Sequence, residues 1–220
     1  MFFELTRSLS FRADPEQERG GSRGIAFGTD KGSLDKLGMT NWCFYLFPDN
    51  LSIIILNRFI MLKIITEPNP ILRQKAIPFD WDKLNVAKLK KWEREMIRLM
   101  YAQKGIGLAA TQVSLPWRFC VIGRAATDHI TASSAGGRRG GTDWFLINPE
   151  IIARSSETHT LLEGCLSCPK VERPVARAIW VKVRAQDITG KNLEFDAENL
   201  SARVIQHELD HLDGILIIDK

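Results

Sequence analysis

His207-Glu208-Leu209-Asp210-His211 places two imidazoles four residues apart, with a carboxylate beside the first. On a helix, residues four apart share one face and lie about one turn from each other. Both rings can then reach one divalent metal, and Glu208 can face a water there as general base. The plain alternative is a surface helix with two histidines near carboxylates. A tetrahedral catalytic site takes three protein ligands and keeps one position open. After His211 the donors are Asp213, which faces away if the helix continues, and Asp219 near the last residue. Upstream, Cys165 is the better donor, because a thiolate binds a borderline-soft cation tightly and the cation itself depresses the thiol pKa. A free cysteine is ordinarily a small buried hydrophobe; here the histidine pair outweighs that reading.

Three motifs stand in order along the chain: Gly105-Ile106-Gly107-Leu108-Ala109-Ala110-Thr111-Gln112, then Glu163-Gly164-Cys165-Leu166-Ser167, then Gln206-His207-Glu208-Leu209-Asp210-His211-Leu212. Together they resemble the peptide deformylase family. The resemblance runs from Met61 to Lys220 and includes Leu72-Arg73, Leu146-Ile147-Asn148-Pro149 and Ser201-Ala202-Arg203-Val204-Ile205. It implies an α+β fold, mostly antiparallel sheets around a central helix carrying both histidines. It also implies Cys165, His207 and His211 as ligands of one divalent ion, typically Fe(II), with zinc, nickel or cobalt able to substitute. The ligand set by itself suits zinc equally well. The implied reaction removes the formyl group from the N-terminal methionine of nascent peptides and releases formate.

A divalent cation lowers the pKa of water from about 15.7 towards about 7. Glu208 would take the proton and pass it to the departing amine. The family pattern assigns the oxyanion donors to the Gln112 side-chain amide and the Leu166 backbone N–H. Gly105 and Gly107 would let the peptide backbone approach closely, pairing it like an added strand. Ile106 and Val204 are candidates for the methionine pocket, with Leu200 a candidate that core packing explains as well. Glu163 and Gly164 complete the expected substrate contacts, and Arg173 and Arg177 are possible charge partners of Glu163.

These residues need elements to hold them. Leu89, Trp92, Met96 and Leu99/Met100 recur at helical spacing within Leu84 to Gln103, ended by Gly105. The first motif reads as a loop running into small apolar residues. Short strands are expected at Leu62–Ile65, Arg118–Ile122 and Ile179–Ala185, with Trp144–Ile152 at an edge or bulge because of Asn148-Pro149. Glu67-Pro68-Asn69-Pro70 forces a turn. Thr127 to Thr142 reads as a loop, and Asp187 to Asn192 as a hairpin turn. Leu200 to Leu212 is the second helix, with Asn199 as N-cap and Gly214 as C-cap, and Ile215–Ile218 is a last strand.

The chain of 220 residues carries 45% hydrophobic and 25% charged residues, an ordinary globular balance. A formal charge of +4 is too small to indicate nucleic acid, and Arg138-Arg139 reads as a solvated surface. Four cysteines lack the density of a secreted disulfide scaffold. Trp42 to Leu62 contains Pro48, Asp49, Asn57 and Arg58, which makes a poor bilayer span. The cytoplasm is the expected compartment, with an organelle as the alternative if residues 1–60 are a targeting segment. Transient contact with the ribosome is a further expectation. Residues 1–60 match nothing in the family and read as a poorly structured extension before a catalytic region at 61–220, with Met61 the favoured true start. Relatives carry more residues after the last strand; their loss is expected to affect stability or partners more than chemistry.

Cys168-Pro169-Lys170 departs from the family, which has an aliphatic residue and then Pro-Gly. Cys165 and Cys168 thus form a Cys-x-x-Cys, open to a redox reading or, with both histidines, to a closed Cys₂His₂ structural zinc site binding a partner. A packed neighbour that raises sensitivity to oxidation is the favoured reading. A zinc endopeptidase, with its third ligand downstream, is the enzyme alternative.

Overall fold

The computed structural model describes residues 62–82, 85–132 and 141–220. The expectations for residues 1–60, including the targeting and extension readings, and for Arg138-Arg139 lie outside these. In the described part, helix α1 (Val86–Ala102) is followed by strands β1 (Gly107–Ala109), β2 (Phe119–Ile122), β3 (Ile130–Ala132), β4 (Trp144–Arg154), β5 (Thr158–Cys165), β6 (Cys168–Ala178), β7 (Trp180–Gln186) and β8 (Asn192–Glu198), then helix α2 (Asn199–Leu212). Six strands pair antiparallel in the order β1-β2-β4-β7-β8-β3, and β5 and β6 form a separate antiparallel hairpin. This is the expected α+β architecture with antiparallel sheets. No helix among the described residues is long and apolar enough to cross a membrane.

The middle of the large sheet is covered on both faces, and the sequence pattern shows why. In β2 and β4, Phe119, Val121, Phe145 and Ile147 pack with Leu89, Trp92, Met96 and Met100 of α1. The alternate residues Cys120, Ile122, Trp144 and Leu146 pack with Ala202, Val204, Ile205, Leu209 and Leu212 of α2. Successive side chains of a strand point to opposite faces, so a strand covered on both sides reads as an unbroken apolar run. Each large side chain buried in this way contributes about 1.5–3 kcal/mol. Asn85 caps α1 by accepting from the Ala87 N–H at 2.7 Å.

Several elements differ from expectation. Leu62–Ile65 forms no strand; it touches the first motif through the Ile65 N–H donated to the Gln112 carbonyl at 2.8 Å. The first motif, read as a loop, contains β1 and then a 3-10 turn at Ala110–Val113. β4 has the expected bulge, at Asn148, whose positive φ turns its amide onto both the N–H and the carbonyl of Phe79, yet it is an interior strand and not an edge. Part of the expected 127–142 loop pairs with β8 as β3. The hairpin β5–β6 has no counterpart in the expected strands. Asn199 does not cap α2: it is left-handed, with φ 52°, and Glu198 stands at the cap without a side-chain bond. Gly214, with φ 77°, does end the helix, and a Cβ there would meet the Arg73 carbonyl oxygen at 2.6 Å. Ile215–Ile218 is not a strand. The Asp219 carboxylate accepts from the Leu216 N–H at 2.8 Å and curls the chain into a 3-10 turn at Ile217–Asp219.

Candidate active site

Helix α2 supplies His207, Glu208 and His211, and the end of β5 supplies Cys165. The ligand atoms of Cys165, His207 and His211 all lie within 4.8 Å of one another. His211 Nε2 is 3.1 Å from Cys165 Sγ, and the two imidazole centroids are 4.9 Å apart. His207 Nδ1 is 3.0 Å from Glu163 Oε2. A carboxylate only accepts, so Nδ1 donates to it and Nε2 is the ring atom left to face a metal. Burial lowers the His211 pKa well below the ordinary histidine value and keeps that ring neutral, as a ligand must be. A sulfur and two imidazoles converging on one point fit a divalent ion of the zinc or iron type. Cys168 is buried nearby but does not join this group, which leaves the closed four-ligand arrangement without its fourth donor. Asp213 and Asp219 stand apart, paired with Arg118 and Arg73.

Beneath the group lies a charged layer. Arg177 grips Glu163 with two bonds, of 3.0 and 2.8 Å, and Arg203 donates to the same carboxylate at 2.7 Å. Burial pushes the Glu163 carboxyl up, but the bonds from Arg177 and His207 outweigh it and hold the pKa well below the usual carboxylate range. Arg177 continues to Asp210, which also meets Lys220. Of the two proposed charge partners of Glu163, Arg177 is the one that reaches it. Arg173 faces Glu163 only as its backbone partner across the hairpin and is exposed. Glu163 borders the cavity, yet both its oxygens are committed to the two arginines and His207.

Glu208 is 3% exposed, and its Oε2 has no hydrogen-bond partner. Burial raises its pKa to about 7, which suits a group that must both take and return a proton near neutrality. Gly107 is required here for space: a Cβ would stand 2.2 Å from Glu208 Oε1 and 2.9 Å from Val204 Cγ1. Gln112 is buried, and its orientation is set by two neighbours. Its Oε1 accepts from the Ala109 N–H at 2.8 Å, which turns Nε2 towards Ser167 Oγ at 3.1 Å and Cys165 Sγ at 3.7 Å.

Gly105, Ile106, Gly107, Glu163, Gly164 and Val204 all border one cavity of about 760 Å³, together with Gln112, Cys165, Leu166, His207 and Glu208. His211 lies behind them, 1% exposed. Leu200 does not border the cavity and packs against the core instead. Sequence reasoning missed Arg203 and Ser167. Arg203 sits four residues before His207, so helical spacing places it on the histidine face; an arginine there in a helix with few exposed positions was the available signal. Nothing in the spacing marks Ser167, whose N–H donates to Cys165 Sγ at 3.4 Å.

The model of the family described as polypeptide deformylase matches residues 61–220. The chain belongs to the polypeptide deformylase family. It is 41% identical over 160 residues to a peptide deformylase of Rhodopirellula baltica, covering 72% of each chain. It is also 41% identical over 160 residues to the chloroplastic peptide deformylase 1B of Solanum lycopersicum, covering 72% of this chain and 52% of that one. Among solved structures, the peptide deformylase of Thermotoga maritima matches with a TM-score of 0.62 at 37% identity, over 73% of this chain and 97% of that one. The Met-Ala-Ser-bound deformylase of Acinetobacter baumannii matches with a TM-score of 0.62 at 32% identity, over 73% and 98%. The activity that goes with deformylase membership is metal-dependent hydrolysis of the N-formyl group on an N-terminal methionine.

Proposed function

We propose that this deformylase holds its metal through Cys165, His207 and His211 and uses Glu208 as the proton carrier. The observation that carries the reading is the convergence of those three donors beside a buried carboxylate oxygen that has no partner. In this reading α2 is the family's central metal-bearing helix, supported by the burial of most of its residues. A bound divalent ion, with Fe(II) the family's usual choice, supplies Lewis acidity that polarises a carbonyl and lowers the pKa of water.

The chain's own groups do the rest. Glu208 accepts the proton of the attacking water and returns it to the departing amine nitrogen. The Gln112 NH₂, held by Ala109, and the Leu166 N–H in the hairpin turn donate to the oxygen that gains charge as the formyl carbon becomes tetrahedral. Gly105, Ile106 and Gly107 on one wall and Gly164 on the other receive an extended backbone. Ile106 and Val204 give the methionine side chain an apolar surface. A formylated Met-Ala-Ser peptide is the substrate of first choice, because a deformylase of similar fold binds Met-Ala-Ser.

The test is formate release from formyl-Met-Ala-Ser by the protein loaded with Fe(II) or Ni(II) without oxygen, beside Glu208→Ala. General acid–base catalysis contributes about 10²- to 10⁴-fold, and a loss of that size in the variant is expected. Absence of release by the folded, metal-loaded parent would end the proposal.

A further inference from the structure

Cys168 plays no part in the reaction as described, yet it faces Cys165 across the β5–β6 hairpin. The two are registered partners, separated by the two-residue turn Leu166–Ser167. Opposed residues of antiparallel strands have Cα atoms about 4.5–5.5 Å apart, inside the roughly 4.4–6.8 Å that a disulfide spans. The two thiols are within hydrogen-bonding reach of each other, and both border the cavity, so a small oxidant entering it meets the pair. Donors already surround the Cys165 sulfur: the Ser167 N–H at 3.4 Å and Gln112 Nε2 at 3.7 Å. In the proposed metal group Cys165 serves as a thiolate, the form that peroxide attacks. Cys120 is wholly buried in the core and offers no competing partner there.

We propose that Cys165 and Cys168 are a peroxide-modifiable dithiol, whose reversible disulfide takes the sulfur out of the metal-holding group. This rests on the reading of Cys165 as a ligand. In the first step the Cys165 thiolate attacks hydrogen peroxide; the O–O bond breaks, an S–O bond forms and hydroxide leaves. In the second, the Cys168 sulfur attacks the sulfenic sulfur; the S–S bond forms, the S–O bond breaks, and the oxygen leaves as water with the thiol proton and one from solvent. Two electrons pass from the two sulfurs to the peroxide. A sulfur in a disulfide is no longer an anionic ligand, so the metal is released. Cys168 also intercepts the sulfenic acid before it reaches the irreversible sulfinic state.

The experiment treats the full chain, loaded with Ni(II), with a small excess of hydrogen peroxide and then with dithiothreitol and fresh Ni(II). Cys168→Val runs alongside, since an aliphatic residue suits the apolar cluster of Leu72, Leu216 and Ile217 around this position. Three readouts are followed: peptide mapping of the thiols, metal released to a coloured chelator, and formate production. The parent is expected to lose two hydrogens in a peptide linking Cys165 to Cys168, to release its metal, and to recover after reduction. The variant is expected to gain oxygen at Cys165 and not to recover. Oxidation of the parent to sulfinic acid at Cys165 without the linked peptide, or recovery of the variant equal to that of the parent, overturns the proposal. Formate production before any peroxide tests the deformylase reading separately, because disulfide mapping and metal release do not depend on it.

Discussion

Glu163 Oε2 accepts from His207 Nδ1 at 3.0 Å while the same carboxylate is gripped by Arg177 and Arg203. One buried anion therefore joins the hairpin β5–β6 to helix α2 and sets the tautomer of a proposed ligand. Cys165 follows Glu163 by two residues on β5, so the bond that orients His207 also sets the distance between the sulfur and the imidazoles. Groups of this kind behind a metal ligand govern both its orientation and its basicity.

Glu163→Gln separates the two roles. Loss of the charge leaves Arg203 and half of Arg177 uncompensated, and breaking a buried pair costs about 3–5 kcal/mol. Metal affinity is expected to fall by about 10- to 100-fold, measured by chelator competition beside urea unfolding. Asp210→Asn removes the other partner of Arg177 without touching His207, so it should lower stability and spare metal affinity. Equal affinity losses in both variants would mean that Glu163 acts only through stability.

Gly107→Ala should damage catalysis without emptying the metal group. The added Cβ meets Glu208 Oε1 at 2.2 Å, and Glu208 must swing away. Displacement of a reacting group by about 1 Å can cost about 10²-fold in rate. Formate release at saturating peptide should fall by about that factor, with metal content unchanged. Activity close to the parent's would show that Glu208 has room the structure does not reveal.

Gln112→Glu keeps an oxygen to accept from the Ala109 N–H and removes the NH₂ group that faces Cys165 and Ser167. Loss of one preorganised oxyanion donor costs about 10²- to 10³-fold in kcat. The drop is expected in kcat more than in KM. A change confined to KM would assign Gln112 to peptide binding.

The identity of the third ligand is testable by metal content alone. Cys165→Ala should bind metal far more weakly than the parent. Asp213→Asn and Asp219→Asn should retain it, since these carboxylates serve Arg118 and Arg73. Retention by Cys165→Ala with loss in either aspartate variant would favour the endopeptidase-like arrangement.

Sequence alone determined the local parts. Spacing by four placed His207 and His211 on one helix face, because an α-helix repeats every 3.6 residues. Periodicity located α1 to within two residues, and apolar runs marked β2 and β4 as strands, but that β4 is interior and covered on both sides came only with the sheet order. What spacing cannot carry is any relation between distant segments. That Glu163, Arg177, Arg203 and His207 form one layer depends on the pairing of β5 with β6 and the packing of that hairpin on α2. β5 escaped notice because its residues from Thr158 to Leu162 are exposed, so it shows little of the apolar alternation that marks a strand. The last segment read as a strand because Ile215-Leu216-Ile217-Ile218 is apolar, but Asp219 and the end of α2 take up its backbone. The need for glycine at 107 is likewise tertiary, imposed by Glu208 Oε1, whereas Gln112 is held at one end by the nearby Ala109 N–H and meets the remote Ser167 Oγ at the other.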